Sequence, residues 1–373
     1  MGDDRVIAFT GGGTGGHIYP GLAVIERLKG RFGGRIVWIG SAKESDRRVV
    51  EAAGVEYYAV PSGKLRRSFS LENAADGFRV LAGYLASRRL LSELRPVLLF
   101  SKGGYVSVPP CAAAAALGIP VFTHESDLTP GLATRLNARR AERVLVSYEK
   151  TVGLLSPELR GRAVLVGNPV RASIRSGDAG RGRAFVGAPD GVPVILFLGG
   201  SQGARQVNEL VAAALPELAK LAYVVHQTGE AQAGSGAGAE CAAASKGRYR
   251  PYAYIHGEMA DVVAAADLVV GRAGAGTLWE CSALGKPMIL VPLAGSGTRG
   301  DQVDNARLFE AAGAARVLLG ADATPARLVE EARSFLADPA RLARAGEAAR
   351  ALAGSDAAGK AADLILERIG ALS

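Results

Sequence analysis

Three glycine-rich turns and one histidine are the residues of this 373-residue chain whose types and spacing promise chemistry. Gly11-Gly12-Gly13-Thr14-Gly15-Gly16-His17 directly follows the apolar run Val6–Phe9, and Gly199-Gly200-Ser201-Gln202-Gly203 follows Val194–Leu198. Gly103-Gly104-Tyr105 follows a third run that ends at Phe100. A strand that passes through glycines into a helix leaves backbone N–H groups uncovered at the helix N-terminus, where negative charge is stabilised. One such turn is as readily explained by tight packing. Two in equivalent places, at the head of each half of the chain, imply facing turns across a cleft outside the carboxyl ends of the strands. His17 closes the first turn, and an imidazole titrates in the range that suits proton transfer near neutrality. Its plain alternative is a loop pin. Glu125 and Asp127, in His124-Glu125-Ser126-Asp127 after Val121–Phe122, are rival bases.

Other readings of the same residues fail on chemistry. Gly11, Gly13 and Gly16 satisfy G-x-G-x-x-G, but a dinucleotide site then needs an acid at the end of the second strand. That run, Arg35–Ile39, leads instead into Gly40-Ser41-Ala42-Lys43, with Glu44 only later. No Gly-Lys-Ser/Thr follows any turn, so a Walker loop is excluded. Cys111, Cys241 and Cys281 are an odd number, widely spaced and without metal spacing, which points to a reducing compartment and no disulfide framework. The net charge of +8 suits an anionic partner. Nucleic acid is the weakest candidate, because no recognition motif or aromatic-interleaved basic stripe is present. Pro109, Pro110 and Pro120 interrupt the longest weakly polar stretch and argue against a spanning helix.

Positioning these turns requires two α/β domains. Short apolar runs alternate with helical patterns: Val6–Phe9, Arg35–Ile39, Tyr57–Val60, Val97–Phe100, Val121–Phe122 and Val144–Val146 as strands. After residue 170 the alternation restarts with Val194–Leu198, Tyr223–Gln227, Ala253–Ile255, Leu268–Val270 and Met288–Val291. Strands separated by helices mean parallel sheets, and the restart means two of them. Helices are expected at Gly21–Leu28, Ala204–Ala219, Thr277–Leu284, Pro325–Leu336, Pro339–Leu352 and Ala357–Ile369. Thr324-Pro325 and Asp338-Pro339 are N-cap residues followed by Pro at the first helical position. The boundary falls near Gly167-Asn168-Pro169. Arg175–Gly191, rich in Gly, Arg and Asp, reads as loop, and Gly229–Ser245 as a surface excursion.

Seven ordered motifs then match a known family. They are Gly12–His17, Gly103-Gly104-Tyr105-Val106-Ser107, His124-Glu125 with Pro130-Gly131, and Gly167-Asn168-Pro169-Val170-Arg171, followed by Gly199–Ala204, Arg272-Ala273-Gly274-Ala275 with Glu280, and Asp301-Gln302 with Asn305-Ala306. Over almost its whole length the chain resembles the MurG family, hexosyltransferases that move GlcNAc from UDP-GlcNAc to undecaprenyl-diphospho-MurNAc-pentapeptide in peptidoglycan synthesis. The resemblance implies an α/β GT-B fold of two Rossmann-like domains facing a deep cleft. It implies inversion at the sugar carbon, giving a β1→4 link, with no bound metal or cofactor. Residues 1–168 would take the lipid acceptor, with 355–373 packing back on them, and 169–354 would take the nucleotide sugar.

Residue roles follow from that resemblance. His17 is the favoured base for the acceptor hydroxyl. Thr14, Gly15, Gly16, Asp127, Arg171, Ser201, Gln202 and Gly203 would contact UDP-GlcNAc, Arg171 as a fork of donors to phosphate. Ala275, Gly276 and Thr277 continue that set, Glu280 would accept from ribose hydroxyls, Asp301 and Gln302 would meet the GlcNAc hydroxyls, and Ile255 and Met259 would line the uracil slot. Many members carry Gln and Asn where this chain has Ser126 and Asp127, and Gln at Asp301, which puts those contacts in doubt. Gly103, Gly104, Tyr105, His124 and Glu125 would face the acceptor. Lys64, Arg66 and Arg67, with Phe78, Leu81 and Leu85 at helical spacing, form a basic and partly apolar surface. Such a surface suits the anionic inner leaflet and a peripheral place on the cytoplasmic face of the membrane. A related transferase with another lipid acceptor, a UDP-GlcNAc 2-epimerase, and a non-catalytic nucleotide-sugar-binding protein are the alternatives.

Overall fold

The computed structural model describes residues 4–63, 71–199, 204–229, 245, 247–295, 298, 300–354 and 356–370. Thirteen strands are present among them. The first seven are β1 Val6–Thr10, β2 Arg35–Gly40, β3 Glu56–Ala59, β4 Leu98–Ser101, β5 Val121–Glu125, β6 Arg143–Val146 and β7 Ala163–Leu165. The second set is β8 Val194–Leu198, β9 Tyr223–Gln227, β10 Tyr249–Tyr252, β11 Leu268–Gly271, β12 Met288–Leu290 and β13 Ala315–Val317. They form one sheet in the order β3-β2-β1-β4-β5-β6-β7 and another in the order β10-β9-β8-β11-β12-β13. Every pairing is parallel. Parallel sheets covered by helices on both faces bury both sides of each strand, which is why β1, β8 and β9 read as unbroken buried runs.

Packing divides the chain into two units, Met1–Arg171 with Ser355–Ser373, and Ala172–Gly354. The Ala357–Gly370 helix belongs to the first unit because its apolar face has partners there. Ala361, Ala362, Ile365 and Ile369 join Leu22, Val24, Ile25 and Leu28 of the Tyr19–Leu28 helix in one core. Arg31–Asp363 at 2.7 Å and Arg27–Asp356 at 2.9 Å lie on the exposed rim of that contact. Exposed pairs of this kind are worth about 1 kcal/mol or less, so apolar burial holds the helix.

The two proline-started helices are capped as their sequence demands. Thr324 Oγ1 accepts from the Arg327 N–H and Asp338 Oδ1 from the Arg341 N–H, at the heads of Pro325–Leu336 and Pro339–Ala353.

Two local expectations are corrected. The Arg175–Gly191 stretch is only partly loop: the Ala172–Arg175 helix ends where it begins, and the Ala179–Val186 helix occupies its middle. Gly187 (φ +73°) and Gly191 (φ +71°) do turn the chain, but Gly177 and Gly182 permit contact instead. A Cβ on Gly182 would stand 2.0 Å from the Asp261 carbonyl oxygen, and one on Gly177 would stand 2.3 Å from that of Ala260. The stretch therefore lies directly on the Met259–Ala265 helix, fastened by the Arg181–Asp261 ion pair at 2.8 Å. Likewise the strand expected at Ala253–Ile255 lies at Tyr249–Tyr252, where Arg250 and Pro251 disguise it. It is the outermost strand of its sheet, and an edge tolerates a proline that an interior strand would not. The outermost strands β7 and β13, three residues each, carry too little apolar pattern to be read from sequence.

Candidate active site

In the first unit the carboxyl edge of the sheet gathers the Gly11–His17 turn after β1, Lys102–Gly104 after β4, His124–Asp127 at and beyond the end of β5, and Gly167-Asn168 after β7. The two glycine turns meet on the imidazole. A Cβ on Gly104 (φ +77°) would stand 2.8 Å from Cδ2 of His17 and 3.0 Å from the Gly12 carbonyl oxygen. Only glycine leaves that space, so the ring is held against the second turn, half-buried. The second turn is itself fixed from below. Asn137 Nδ2 donates to Ser107 Oγ at 2.8 Å and to Ser101 Oγ at 3.2 Å. Ser107 Oγ donates to the Gly104 carbonyl at 2.8 Å, and Ser101 Oγ accepts from the Gly103 N–H. Each of these groups is buried, where an unmade bond would cost about 1–3 kcal/mol.

The first turn is less bare than a phosphate cradle requires. Gly13 (φ +87°) donates its N–H to Asp46 Oδ2 at 2.7 Å, and the Tyr105 ring lies where a Gly13 side chain would go. Asp46 is 4% exposed, in the first turn of the Glu44–Ala52 helix, and also accepts from Ser41 Oγ at 3.3 Å. An acid does follow the second strand, then, but it binds the loop backbone instead of standing at a ribose. Beyond it Thr14 and Gly16 are exposed and Gly15 abuts the Tyr19 ring. The Arg171 guanidinium carbon lies 4.3 Å from the centroid of that same ring, a cation–π contact that brings Arg171 to the flank of the turn.

Behind β4 and β5 lies a buried charged group that sequence reasoning missed. Lys102, 1% exposed, donates through Nζ to Ser126 Oγ, which donates to Asn168 Oδ1 at 2.7 Å. Burial pushes the Lys102 ammonium down to about 8, against the opposing pull of Glu125 and Asp127. Burial, and then the Lys102 charge, hold His124 well below 6.5; its Nε2 meets the Gly167 carbonyl at 2.9 Å, so the neutral ring donates there. Glu125, weighed as a rival base, has another occupation. Its Oε1 accepts from the Asp127 N–H at 3.0 Å and its Oε2 from the Gly131 N–H at 2.9 Å, which staples the loop leading to the Leu132–Ala138 helix. Asp127, grouped above with the nucleotide-sugar contacts, stands in this first unit on the same loop. A lysine directly after a buried strand was the available signal for Lys102.

In the second unit the corresponding edge is open. The Ala275–Ala283 helix starts from Gly274 after β11, and a Cβ on Gly274 or Gly276 would meet nothing within 4 Å among the described residues. Ala275, Gly276 and Thr277 form its first turn, with Glu280 half-buried further along. Asn305 Nδ2 donates to the Ala273 carbonyl at 3.3 Å and supports the turn from within. Arg272 Nη1 donates to the Val291 carbonyl and to Gln206 Oε1, both at 2.9 Å, which joins the ends of β11 and β12 to the Arg205–Leu221 helix. Asp301 begins the Asp301–Ala311 helix after Gly300, and Gln302 Oε1 accepts from the Leu293 N–H at 3.0 Å, committing that oxygen to the chain's own backbone. Ile255 is buried, with its N–H on Gln227 Oε1 at 2.9 Å, while Met259 is half-buried at the head of its helix. Ser201, Gln202 and Gly203, like Lys64, Arg66 and Arg67, lie outside the described residues.

Two parallel sheets in separate units, each with glycine turns on its carboxyl edge, are the architecture of GT-B proteins. Residues 7–146 match the glycosyltransferase family 28 N-terminal domain and residues 194–365 its C-terminal domain. A Treponema denticola protein named UDP-N-acetylglucosamine--N-acetylmuramyl-(pentapeptide) pyrophosphoryl-undecaprenol N-acetylglucosamine transferase is 49% identical over 334 residues, covering 86% of this chain and 85% of its own. One of the same name, numbered 2, from Bacillus cereus is 40% identical, covering 87% and 90%. The chain belongs to glycosyltransferase family 28, and within it to the MurG transferases. Among solved structures, Acinetobacter baumannii MurG superposes with a TM-score of 0.72 at 24% identity, covering 98% of this chain and all of the other. A Neisseria meningitidis UDP-GlcNAc 2-epimerase bound to UDP-GlcNAc superposes at 0.67 and 15% identity, covering 98% and 99%. These two likenesses establish the fold.

Proposed function

We propose that this chain transfers GlcNAc from UDP-GlcNAc to the C4 hydroxyl of MurNAc in undecaprenyl-diphospho-MurNAc-pentapeptide. The observation that carries the reading is the His17 imidazole seated against Gly104 on a turn with exposed Thr14 and Gly16, in a chain 49% identical to a protein named for that transfer. The acceptor oxygen attacks the anomeric carbon while its proton passes to His17, and the bond to the UDP oxygen breaks with inversion. A positioned base contributes roughly 10²–10⁴-fold to such a step. Charge gathering on the departing diphosphate is met by helix N-termini and Arg171. The first unit takes the acceptor. The second takes UDP-GlcNAc at the Gly274–Thr277 helix start, with Glu280 accepting from ribose and Asp301, Gln302, Ile255 and Met259 around the sugar and base.

The acceptor's lipid places the enzyme on the cytoplasmic face of the membrane, and an exposed surface of the first unit supports peripheral binding. Phe78, Leu81 and Leu85 of the Leu71–Leu94 helix are 75%, 55% and 57% exposed, with exposed Arg79, Arg88 and Arg89 beside them. Among the described residues no helix is long and apolar enough to cross a membrane. Replacing Phe78, Leu81 and Leu85 together with serine should abolish most co-sedimentation with anionic vesicles. Unchanged sedimentation would dismiss that surface.

The test of the activity is incubation with labelled UDP-GlcNAc and a lipid-linked MurNAc-pentapeptide, diacylglycerol, or no acceptor. Label in the lipid is the expected result. Formation of UDP-ManNAc without acceptor would establish an epimerase instead, label in diacylglycerol a different lipid acceptor, and no turnover a binding protein.

A further inference from the structure

We infer that Asp46 is a positioning residue for the transfer reaction, acting through the turn that carries His17; the inference rests on the proposed role of His17. The sequence sets a problem at Gly11–Gly13. Consecutive glycines have the largest conformational freedom to lose, and nothing in their own side chains selects one conformation. The selection comes from outside the turn. Asp46, 4% exposed, sends Oδ2 to the Gly13 N–H at 2.7 Å, and a Cβ on Gly12 would stand 3.0 Å from the same oxygen. Both glycines are therefore seated on one carboxylate. Ser41 Oγ donates to that oxygen at 3.3 Å, and Lys43 Nζ lies 3.9 Å from Oδ1. Tyr57, whose hydroxyl donates to the Ser41 carbonyl at 2.6 Å, closes the group from β3.

What the carboxylate holds is continuous with the imidazole. After Gly13 the chain folds into the Gly15–His17 turn, with the His17 N–H on the Thr14 carbonyl and the Ile18 N–H on that of Gly15, both at 3.0 Å. That turn is short and closes on itself, so its placement depends on where Gly13 leaves it. A charged acceptor is also the strong choice at such a point, roughly twice the strength of a neutral one. By occupying the Gly13 N–H, Asp46 withdraws this donor from any phosphate, and the free N–H groups of the turn shift to the residues beyond it. The first glycine turn is thus organised by its own anion, and its task is to aim a side chain.

Displacement of a reacting group by 1 Å can cost about 10²-fold. Asp46→Ala should accordingly lower kcat for GlcNAc transfer about 10²-fold while KM for UDP-GlcNAc stays within about threefold. Asp46→Asn, whose amide oxygen can still accept from Gly13, should keep most of the turnover. The deciding measurement compares the Asp46→Ala effect in the wild-type chain with its effect in the His17→Ala chain. A large loss in the first and little in the second is expected; the same factor in both would overturn the inference, as would a loss that only follows the unfolded fraction. Should the alanine chain fail to fold, Asp46→Ser takes its place, since it keeps a polar group beside Ser41 but is too short to reach Gly13. His17→Ala measured alone reports on the base independently: wild-type turnover there would remove that role whatever Asp46 does.

Discussion

Glycines at the sheet edges of the two units do opposite things. In the first unit they are filled from within: Tyr105 lies against Gly13, the Tyr19 ring against Gly15 and the His17 ring against Gly104. In the second, a side chain on Gly274 or Gly276, or on Gly295 or Gly300, would meet nothing within 4 Å among the described residues. The same residue type thus marks internal packing in one place and room for a visitor in the other. The first edge is also rich in buried polar side chains, among them Asp46, Ser101, Lys102, Ser107, His124, Glu125, Asn137 and Asn168. Such groups are costly to bury unless satisfied, and once satisfied they fix one geometry. This is the edge expected of a unit that must aim a base. An open helix start suits one that must receive an anion.

Substituting glycines separates these roles. Gly104→Ala forces a methyl to 2.8 Å from the His17 ring at a φ of +77°, so turnover should fall about 10²-fold with donor affinity little changed. Equal losses in both would show that the first edge also grips the donor. Gly276→Ala should behave in reverse. Its methyl meets nothing within 4 Å among the described residues, and alanine is the better helix former by up to about 1 kcal/mol. Thermal stability should hold or rise while UDP-GlcNAc binding weakens about tenfold, measured by titration calorimetry. Full affinity would place the donor elsewhere.

Lys102 sharpens the contrast through pH. Its ammonium titrates at about 8 in the folded protein, against 10.5 when free. Below the lower value both folded and unfolded chains carry the charge, and the folded state bears the full cost of burying it. Between the two values the unfolded chain holds more protons, so stability from this group rises with pH, by at most about 1.4 kcal/mol per unit. In denaturant melts the wild type should therefore gain stability relative to Lys102→Met as pH rises from about 8 to about 10. Parallel profiles would mean that Lys102 is hydrated in solution.

Much of this organisation was legible in the sequence, because central parallel strands and glycine turns announce themselves by type and order. His17, Gly103 and Gly104 were named from their motifs, and the structure brings them into contact. Asp46, Lys102, Ser101 and Asn137 were not, since their roles depend on pairings across 20 to 40 residues that no local pattern encodes: Asp46 with Gly13, Lys102 with Ser126, Asn137 with Ser101 and Ser107. Glu125 drew notice as a rival base because an acid beside a histidine looks reactive; that it also accepts from two backbone N–H groups, those of Asp127 and Gly131, could not be read from the sequence. Arg175–Gly191 misled for the converse reason. Glycine there serves close helix contact, and composition alone cannot tell that from a turn.

Hydrogen exchange on the intact chain, with and without UDP-GlcNAc, tests the division of labour most directly. The amides of Ala275 to Trp279 and those following Leu293 should slow on binding, while Gly11–Gly13 and Gly103–Ser107, already held by side chains of the first unit such as Asp46, Ser101 and Ser107, should not. Slowing confined to the Gly11–His17 and Gly103–Ser107 turns, with the second unit unaffected, would contradict the account.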